Sequence, residues 1–304
     1  MPEARVIPLR RRGVEDAAPL RPATPALVRQ PHGPAPNLRE FLRHRLTGDY
    51  PVDEFGFDPE FTDTVLLPPM RAIFEKWFRV TVTGSLPAGT GAMVVANHSG
   101  TVPWDAAMTA VAVHDVHPEH RHLRMLGADL LFKVPVLADI ARRSGQTLAC
   151  RADAVRLLRS GEVVGVWPEG FKGIGKPFRD RYRLQRFGRG GFVATALRAE
   201  VPIIPCSIVG AEEIHPKIGE LRPLARLLGL PYFPVTPLFP LLGPLGAIPL
   251  PTKWTIHFGE PVRTDLAGPG ADQDQALVLD IADRVRDTIQ TTLDRAVAAR
   301  PGIF

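Results

Sequence analysis

The stretch VVANHSGTVPWD, residues 94–105, decides how the chain is organised. It opens in an apolar run, residues 93–96, that has the length of a buried strand and stops at an Asn-His pair. A glycine and a proline then indicate a turn, and the Ala, Met and Val pattern of residues 104–113 predicts a helix. Because α/β proteins place reactive groups where strands end, we identify His98 as a candidate proton acceptor. Asp105 is the nearby carboxylate that could hold its ring.

Composition bounds the class of protein. The chain of 304 residues is 45% hydrophobic and 23% charged, so it can bury a sizeable core in one large α/β domain or two small ones. A formal net charge of +5 favours anionic partners such as phosphate groups, lipid headgroups, CoA or nucleic acid. No nucleic-acid-binding motif or series of stacking aromatics occurs, so we expect no nucleic-acid partner.

The cysteines and the N-terminal sequence indicate the compartment. Cys150 and Cys206 lie in apolar sequence, which predicts two buried free thiols in a reducing environment. The sequence has no C-x-x-C motif or Cys/His cluster, so we expect no metal. It also has no secretory signal and no unbroken apolar run of about 18 residues. We therefore expect a cytoplasmic protein without a transmembrane helix.

The first 80 residues divide into two predicted parts. Residues 1–36 are basic and proline-rich, which predicts a flexible arm that is either a solvated tail or a tether to an anionic membrane. Residues 37–80 predict an N-terminal helical, membrane-proximal segment, with helices at 38–46 and at about 64–78. The second helix is expected to be interrupted at the Pro-Pro pair, residues 68–69, and its apolar stripe either packs in the core or lies on a bilayer.

Residues 81–304 are predicted to form one α/β domain, because short apolar runs alternate with helical patterns. We expect a mixed, largely parallel sheet flanked by helices, with the N-terminal helical segment before it and a long C-terminal helix at 272–299. The predicted strands are 79–84, 91–97, 123–126, 145–151, 162–167, 201–209 and 254–258, and further helices are predicted at 129–144, 153–160 and 188–199.

A second strand end carries charge. The predicted strand at 162–167 runs into Glu169 and Gly170, and a basic segment, residues 172–189, follows with interspersed glycines. Its spacing fits no single helical face, which favours a loop wrapped around an anion over a merely solvated basic loop. The candidate phosphate contacts in this segment are Lys172, Lys176, Arg179 and Arg189.

Three blocks together carry a family resemblance. Asn97-His98 with Asp105, Pro168-Glu169-Gly170 and the VPIIP sequence at 201–205 occur in the order found in glycerolipid (lysophospholipid) acyltransferases related to bacterial 1-acylglycerol-3-phosphate acyltransferase. The resemblance covers about residues 60–265. Six residues separate the His from the Asp here, whereas members of that family usually have four.

The resemblance implies a reaction and roles for residues. The donor would be acyl-CoA or acyl-carrier protein and the acceptor a lipid hydroxyl, with no metal and no cofactor. His98 would be the general base and Asp105 its partner, and Glu169 and Gly170 would belong to the acceptor-phosphate site. Arg151 would bind an anion. We expect conversion of lysophosphatidic acid to phosphatidic acid. The alternatives are acylation of a neutral lipid or glycolipid and a catalytically silent lipid-binding protein.

The apolar segment, residues 227–252, contains no charged residue but many prolines. A membrane-spanning helix is excluded by those prolines, because each removes a backbone donor that lipid cannot replace. The segment either dips into one leaflet or packs against the core of the protein. With the basic segments, it predicts peripheral association with the inner face of the cell membrane.

Overall fold

A computed structural model describes residues 37–99, 102–133, 135–229 and 232–304 of the chain. The predicted arm at 1–36 lies outside the described residues. The strands are β1 Thr81–Gly84, β2 Ala92–Ala96, β3 Leu123–Gly127, β4 Thr147–Leu148, β5 Val163–Val166, β6 Ile203–Val209, β7 Gly219–Glu220, β8 Pro234–Val235 and β9 Thr255–Phe258. The α-helices are α1 Leu38–Thr47, α2 Pro59–Phe61, α3 Leu67–Ala72, α4 Trp104–Val116, α5 Asp129–Phe132, α6 Pro135–Arg143, α7 Arg151–Arg159, α8 Phe171–Ile174, α9 Gly191–Ala199, α10 Arg222–Leu227 and α11 Gln275–Ala299.

Seven strands form one sheet in the order β1-β9-β6-β2-β5-β3-β4. All neighbouring pairs are parallel except β6 with β9, which is antiparallel. The predicted fold class, a mixed and largely parallel sheet flanked by helices with a long C-terminal helix, is therefore confirmed. Strand β2 lies at the centre, and all five of its residues are buried because helices cover both faces of the sheet.

Two hydrophobic layers hold the helices to the sheet. One face packs against α7, α9 and the apolar stripe of α11, which recurs at helical spacing at Val278, Ile281, Val285 and Ile289. The opposite face packs against α4 and the N-terminal helical segment, whose Phe74 is fully buried. Core packing therefore accounts for most of the apolar stripe of that segment.

The N-terminal helical segment corrects one prediction. Helical structure persists from Pro59 to Trp77, and the Pro-Pro pair does not interrupt it. Two π-helical stretches, Thr62–Leu66 and Ile73–Trp77, flank α3, and the prolines lie in the first turn of α3. Proline is tolerated there because the first N–H groups of an α-helix have no partner within that helix.

Other predicted bounds were wrong in ways that have local causes. The strand expected at 145–151 is only the two residues of β4, and Arg151 opens α7 instead of ending a strand. The helix expected from residue 188 begins at Gly191, because Gly188 and Gly190 have positive φ angles of 57° and 75°. Helix α11 begins after Asp274, whose side chain accepts hydrogen bonds from two amides of the first turn.

The apolar segment is neither fully buried nor extended. It contains the end of α10, the strand β8, which pairs with β7, and a 3₁₀ turn at Gly243–Ala247. Leu227, Leu241 and Leu245 are 81%, 83% and 65% exposed. Among the described residues, no helix combines the length and the apolar character needed to cross a membrane.

Candidate active site

The sheet brings the two predicted strand ends together. Strands β2 and β5 are parallel neighbours, with Val95 in register with Val166. His98 follows β2 and Glu169 follows β5, so both lie at the same edge of the sheet. Asn97 fixes the end of β2 because its amide side chain exchanges two hydrogen bonds with the backbone of Ile208 on β6, at 3.0 and 2.7 Å.

His98 and Asp105 form a close pair. The Nδ1 atom of His98 lies 2.7 Å from Oδ2 of Asp105, in the first turn of α4. The same oxygen accepts a hydrogen bond from the Ser99 amide at 3.0 Å. The Asp105 side chain is fully buried, whereas that of His98 is 12% exposed. A carboxylate only accepts, so Nδ1 carries the hydrogen, and Nε2 keeps a lone pair for a proton.

Glu169 holds the backbone of His98. Its Oε1 atom accepts a hydrogen bond from the His98 amide at 2.9 Å, and its Oε2 atom accepts one from the Gln185 amide at 2.7 Å. The residue is buried, and Oε2 also lies 3.3 Å from the ammonium of Lys176. Both oxygens are thus engaged within the protein. The geometry gives Glu169 a positioning role in place of the direct contact with acceptor phosphate that the sequence suggested.

Lys176 is buried between two carboxylates. Its Nζ atom lies 3.1 Å from Glu212 and donates to the carbonyl of Arg183 at 3.2 Å, in addition to the Glu169 contact. Burial raises the pKa of Glu212 to about 7, and the charge of Lys176 opposes that rise. The predicted phosphate contact at Lys176 is corrected accordingly, because its ammonium anchors the basic segment from inside.

The other predicted basic contacts face solvent. Lys172, Arg179, Arg189 and Arg151 are exposed, and Arg179 reaches no closer than 3.8 Å to the carboxylate of its neighbour Asp180. Their roles in binding phosphate stay predictions. Gly170 has a φ angle of 54° and open space where a side chain would project. That conformation favours glycine at the turn after β5.

Three residues beside the pair were not singled out from the sequence. A Cβ atom on Gly173 would lie 2.7 Å from Cβ of Glu169 and 2.9 Å from Cβ of His98, so only a glycine allows α8 to pass this closely. The ring centroid of Trp167 lies 5.9 Å from that of His98. Burial, and next the charge of Asp105, raises the pKa of Tyr232 to about 12. The apolar segment therefore reaches the site through Tyr232, which is the signal its aromatic residues offered.

Comparisons with known proteins agree with this geometry. The family model described as Acyltransferase matches residues 79–209, from β1 to the end of β6. An uncharacterised protein of Mycobacterium tuberculosis is 58% identical over 267 residues, which cover 87% of this chain and 74% of that protein. This chain belongs to the acyltransferase family.

Two more distant proteins are similar to this acyltransferase. The human DGAT1/2-independent enzyme synthesizing storage lipids is 23% identical over 223 residues, covering 72% of this chain and 62% of that protein. The crystal structure of the 1-acyl-sn-glycerophosphate (LPA) acyltransferase PlsC from Thermotoga maritima matches with a TM-score of 0.50 and 19% identity, over 78% of this chain and 81% of that chain. The second likeness shows the shared fold.

In this acyltransferase, the hydroxyl and thiol groups nearest the pair are poorly placed to act as nucleophiles. Ser99 is fully buried, and its Oγ atom has no hydrogen-bond partner among the described residues. Cys206 is also fully buried, and desolvation, with the charge of Asp105, raises the pKa of its thiol far above the usual range. The exposed reactive atom of the pair is thus an imidazole nitrogen, which suits general-base chemistry on a substrate hydroxyl.

Proposed function

We propose that the protein transfers a fatty acyl group from a thioester to a lipid hydroxyl, with His98 as the general base. Nε2 of His98 removes the hydroxyl proton as the oxygen attacks the thioester carbonyl carbon. The C–S bond then breaks, and the proton passes from the imidazolium to the departing sulfur. Asp105 holds the ring and stabilises the imidazolium, as in hydrolase triads. The observation that carries the proposal is the 2.7 Å contact from Nδ1 to Asp105, which leaves Nε2 available.

The substrates proposed are acyl-CoA, or acyl-carrier protein as an alternative donor, and lysophosphatidic acid, which would yield phosphatidic acid. The exposed cations Lys172, Arg179 and Arg189 support a phosphate-bearing acceptor, because Lys and Arg form charge-assisted hydrogen bonds with phosphate. The fold shared with the LPA acyltransferase of Thermotoga maritima is compatible with this acceptor. No cofactor is needed for the reaction.

A second candidate is acylation of a neutral glyceride. Lys176, the buried cation nearest the His98 backbone anchor, is already neutralised by two carboxylates and is not available to an acceptor phosphate. The name of the human relative, an enzyme synthesizing storage lipids, is in line with this alternative. Either acceptor is lipid, so we also propose that the protein works at the cytoplasmic membrane surface, with the apolar segment toward the bilayer.

Acyl transfer with purified protein tests both proposals. Thiol release from acyl-CoA is measured with lysophosphatidic acid or monoacylglycerol as acceptor, and the products are resolved by mass. We expect His98→Ala to lower turnover by about 10²–10⁴-fold or more, because the base is lost. His44→Gln, in α1, is the matched control and should retain activity. Full activity of His98→Ala would reject the mechanism, and vesicle binding without transfer from any thioester would favour a lipid-binding protein.

Asp105→Asn separates the role of the pair from that of the imidazole alone. The amide can no longer serve as a carboxylate acceptor for Nδ1–H, so the ring loses its orientation and its counter-charge. We expect turnover to fall by about 10²–10⁴-fold with little change in KM for either substrate. Asp139→Asn, whose exposed carboxylate pairs with Arg143 on α6, should leave turnover unchanged.

A further inference from the structure

A group of metal-ligating side chains lies away from the acyl-transfer site. Asp63 on the first π-helical stretch, His114 near the end of α4 and His122 just before β3 each offer one ligand atom, and these three atoms lie within 4.8 Å of one another. His114 is nine residues beyond Asp105 on α4, which places it about 13 Å along the helix axis from the catalytic pair. We propose that Asp63, His114 and His122 bind a divalent transition-metal ion, for which Zn²⁺ is the best match.

The distances suit a tetrahedral ion. Oδ1 of Asp63 lies 3.3 Å from Nε2 of His122 and 3.7 Å from Nε2 of His114. Ligand bonds of about 2.1 Å at tetrahedral angles put neighbouring ligand atoms about 3.4 Å apart. Two imidazoles and one carboxylate are also a common zinc ligand set, with water in the fourth position.

The Oδ1 atom of Asp63 is an independent indication. It is buried, although the Asp63 side chain as a whole is 35% exposed. With two imidazole nitrogens nearby, it still forms no hydrogen bond of acceptable geometry to any described residue. A buried carboxylate oxygen without a hydrogen bond is costly, and a bound cation would satisfy it.

The surroundings supply a partner for the second nitrogen of His114. When Nε2 binds a cation, Nδ1 carries the hydrogen, and Oδ1 of Asp115 lies 3.5 Å from it. Metal-bound histidines commonly donate their other N–H to a carboxylate in this way. Arg71 lies 3.1 Å from Nδ1 but is itself held by Asp115, at 2.7 Å. The two carboxylates and one guanidinium therefore give the site a net negative charge that favours a cation.

The proposed ion would clamp the N-terminal helical segment to the sheet. Asp63 belongs to that segment, whereas His114 and His122 belong to the layer formed by α4 and β3. The inference does not depend on the proposed acyl transfer, and it revises the expectation of no metal that the sequence gave. Sequence reasoning missed the site because its ligands are 51 and 8 residues apart and fit no short metal-binding motif.

Metal binding by the full chain, purified without a histidine tag and dialysed against a chelator, tests the proposal. Zn²⁺ is titrated by calorimetry, and Co²⁺ is followed by its visible absorption. We expect one ion per chain and the strong absorption of four-coordinate Co²⁺. Asp63→Asn and His122→Gln should each weaken binding by about 100-fold or more. The control His120→Asn changes a neighbouring histidine that is not a ligand, and asparagine suits its φ angle of 49°.

The outcomes separate binding from folding. Circular dichroism checks each variant, and if Asp63→Asn does not fold, the His122→Gln variant and the wild-type Co²⁺ spectrum still decide. Zn²⁺ should also raise the thermal midpoint of the wild type, because an ion bound by the native state stabilises it. Absence of stoichiometric binding by the wild type, or equal binding by wild type and both ligand variants, would overturn the proposal.

Discussion

At the scale of single residues, the candidate site is built from two carboxylates with different duties. Asp105 contacts the ring of His98, whereas Glu169 contacts its backbone amide. The imidazole is thereby fixed from both sides before any substrate arrives. Such preorganisation is what a general base requires, because a misplaced proton acceptor loses much of its effect.

Replacing Glu169 distinguishes positioning from substrate binding. Glu169→Gln keeps one carbonyl oxygen for the His98 amide but removes the negative charge beside Lys176. We expect kcat to fall about tenfold or more, with KM for the acceptor unchanged, because the base shifts while the acceptor site stays intact. A rise in KM confined to phosphate-bearing acceptors, measured against monoacylglycerol, would instead support a direct phosphate contact.

Glu212 makes stability depend on pH. Burial raises its pKa from 4.5 to about 7 in the folded protein. Its contribution to stability is therefore fully present below pH 4.5 and is lost as the pH rises through about 7, since the unfolded chain ionises first. We expect Glu212→Gln to flatten the pH dependence of the unfolding free energy between about pH 5 and pH 7.5, measured by urea denaturation. Glu40→Gln on exposed α1 is the control, and an equal flattening there would contradict the assignment.

The residues found from the sequence are those attached to strand ends. His98, Asp105 and Glu169 follow or face apolar runs whose parallel pairing could be inferred, so their proximity was predictable. Lys176 was misassigned because a row of basic residues does not reveal which one is buried against carboxylates from another element. Tyr232 is more than 100 residues from Asp105 in the chain, and only the folded path of the apolar segment brings it near.

At the scale of elements, the apolar segment is the surface best suited to a bilayer. Its leucines at 227, 241 and 245 project into solvent, and the segment is held to the N-terminal helical segment by the hydrogen bond from Trp77 to the Pro249 carbonyl. Exposed leucines at this density are unfavourable in water but favourable in the acyl boundary of a membrane.

The double substitution Leu241→Asp with Leu245→Asp tests membrane contact. Each exposed leucine that enters the bilayer contributes about 1.5–3 kcal/mol, so we expect vesicle binding to weaken by tenfold or more. Sedimentation with anionic vesicles measures the loss, and the thermal midpoint should stay the same because both side chains are exposed. Leu266→Asp, 71% exposed in a different turn, is the control. Equal binding by the double variant and the wild type would remove this segment from the membrane contact.

The predictability of elements follows their environment. The strands and helices of the core were located within a few residues, because burial on both faces imposes long apolar runs. The N-terminal helical segment was predicted to break at Pro68, but a wider π-helical turn before α3 lets the chain continue. A rule based on ideal α-helical hydrogen bonding does not anticipate that solution.

At the scale of the whole molecule, both layers of helices depend on one central sheet. The catalytic pair lies at the carboxyl edge of β2, and the proposed metal site lies at the far end of α4, on the face covered by the N-terminal helical segment. The sheet order could not be read from the sequence, because the pattern of a strand does not specify its neighbour. In particular, nothing in residues 255–258 announces an antiparallel strand inserted between β1 and β6.

That insertion has a consequence for synthesis. Strand β1 pairs with β9, Thr81 facing Thr255, so its partner is 174 residues away in the chain. At a translation rate of about 5–20 residues per second, roughly 10–35 s pass between the appearance of the two strands on the ribosome. During that interval the nascent chain carries an unpaired edge strand, which is open to aggregation. A chaperone that shields residues 81–84 until β9 emerges would therefore raise the yield of folded enzyme.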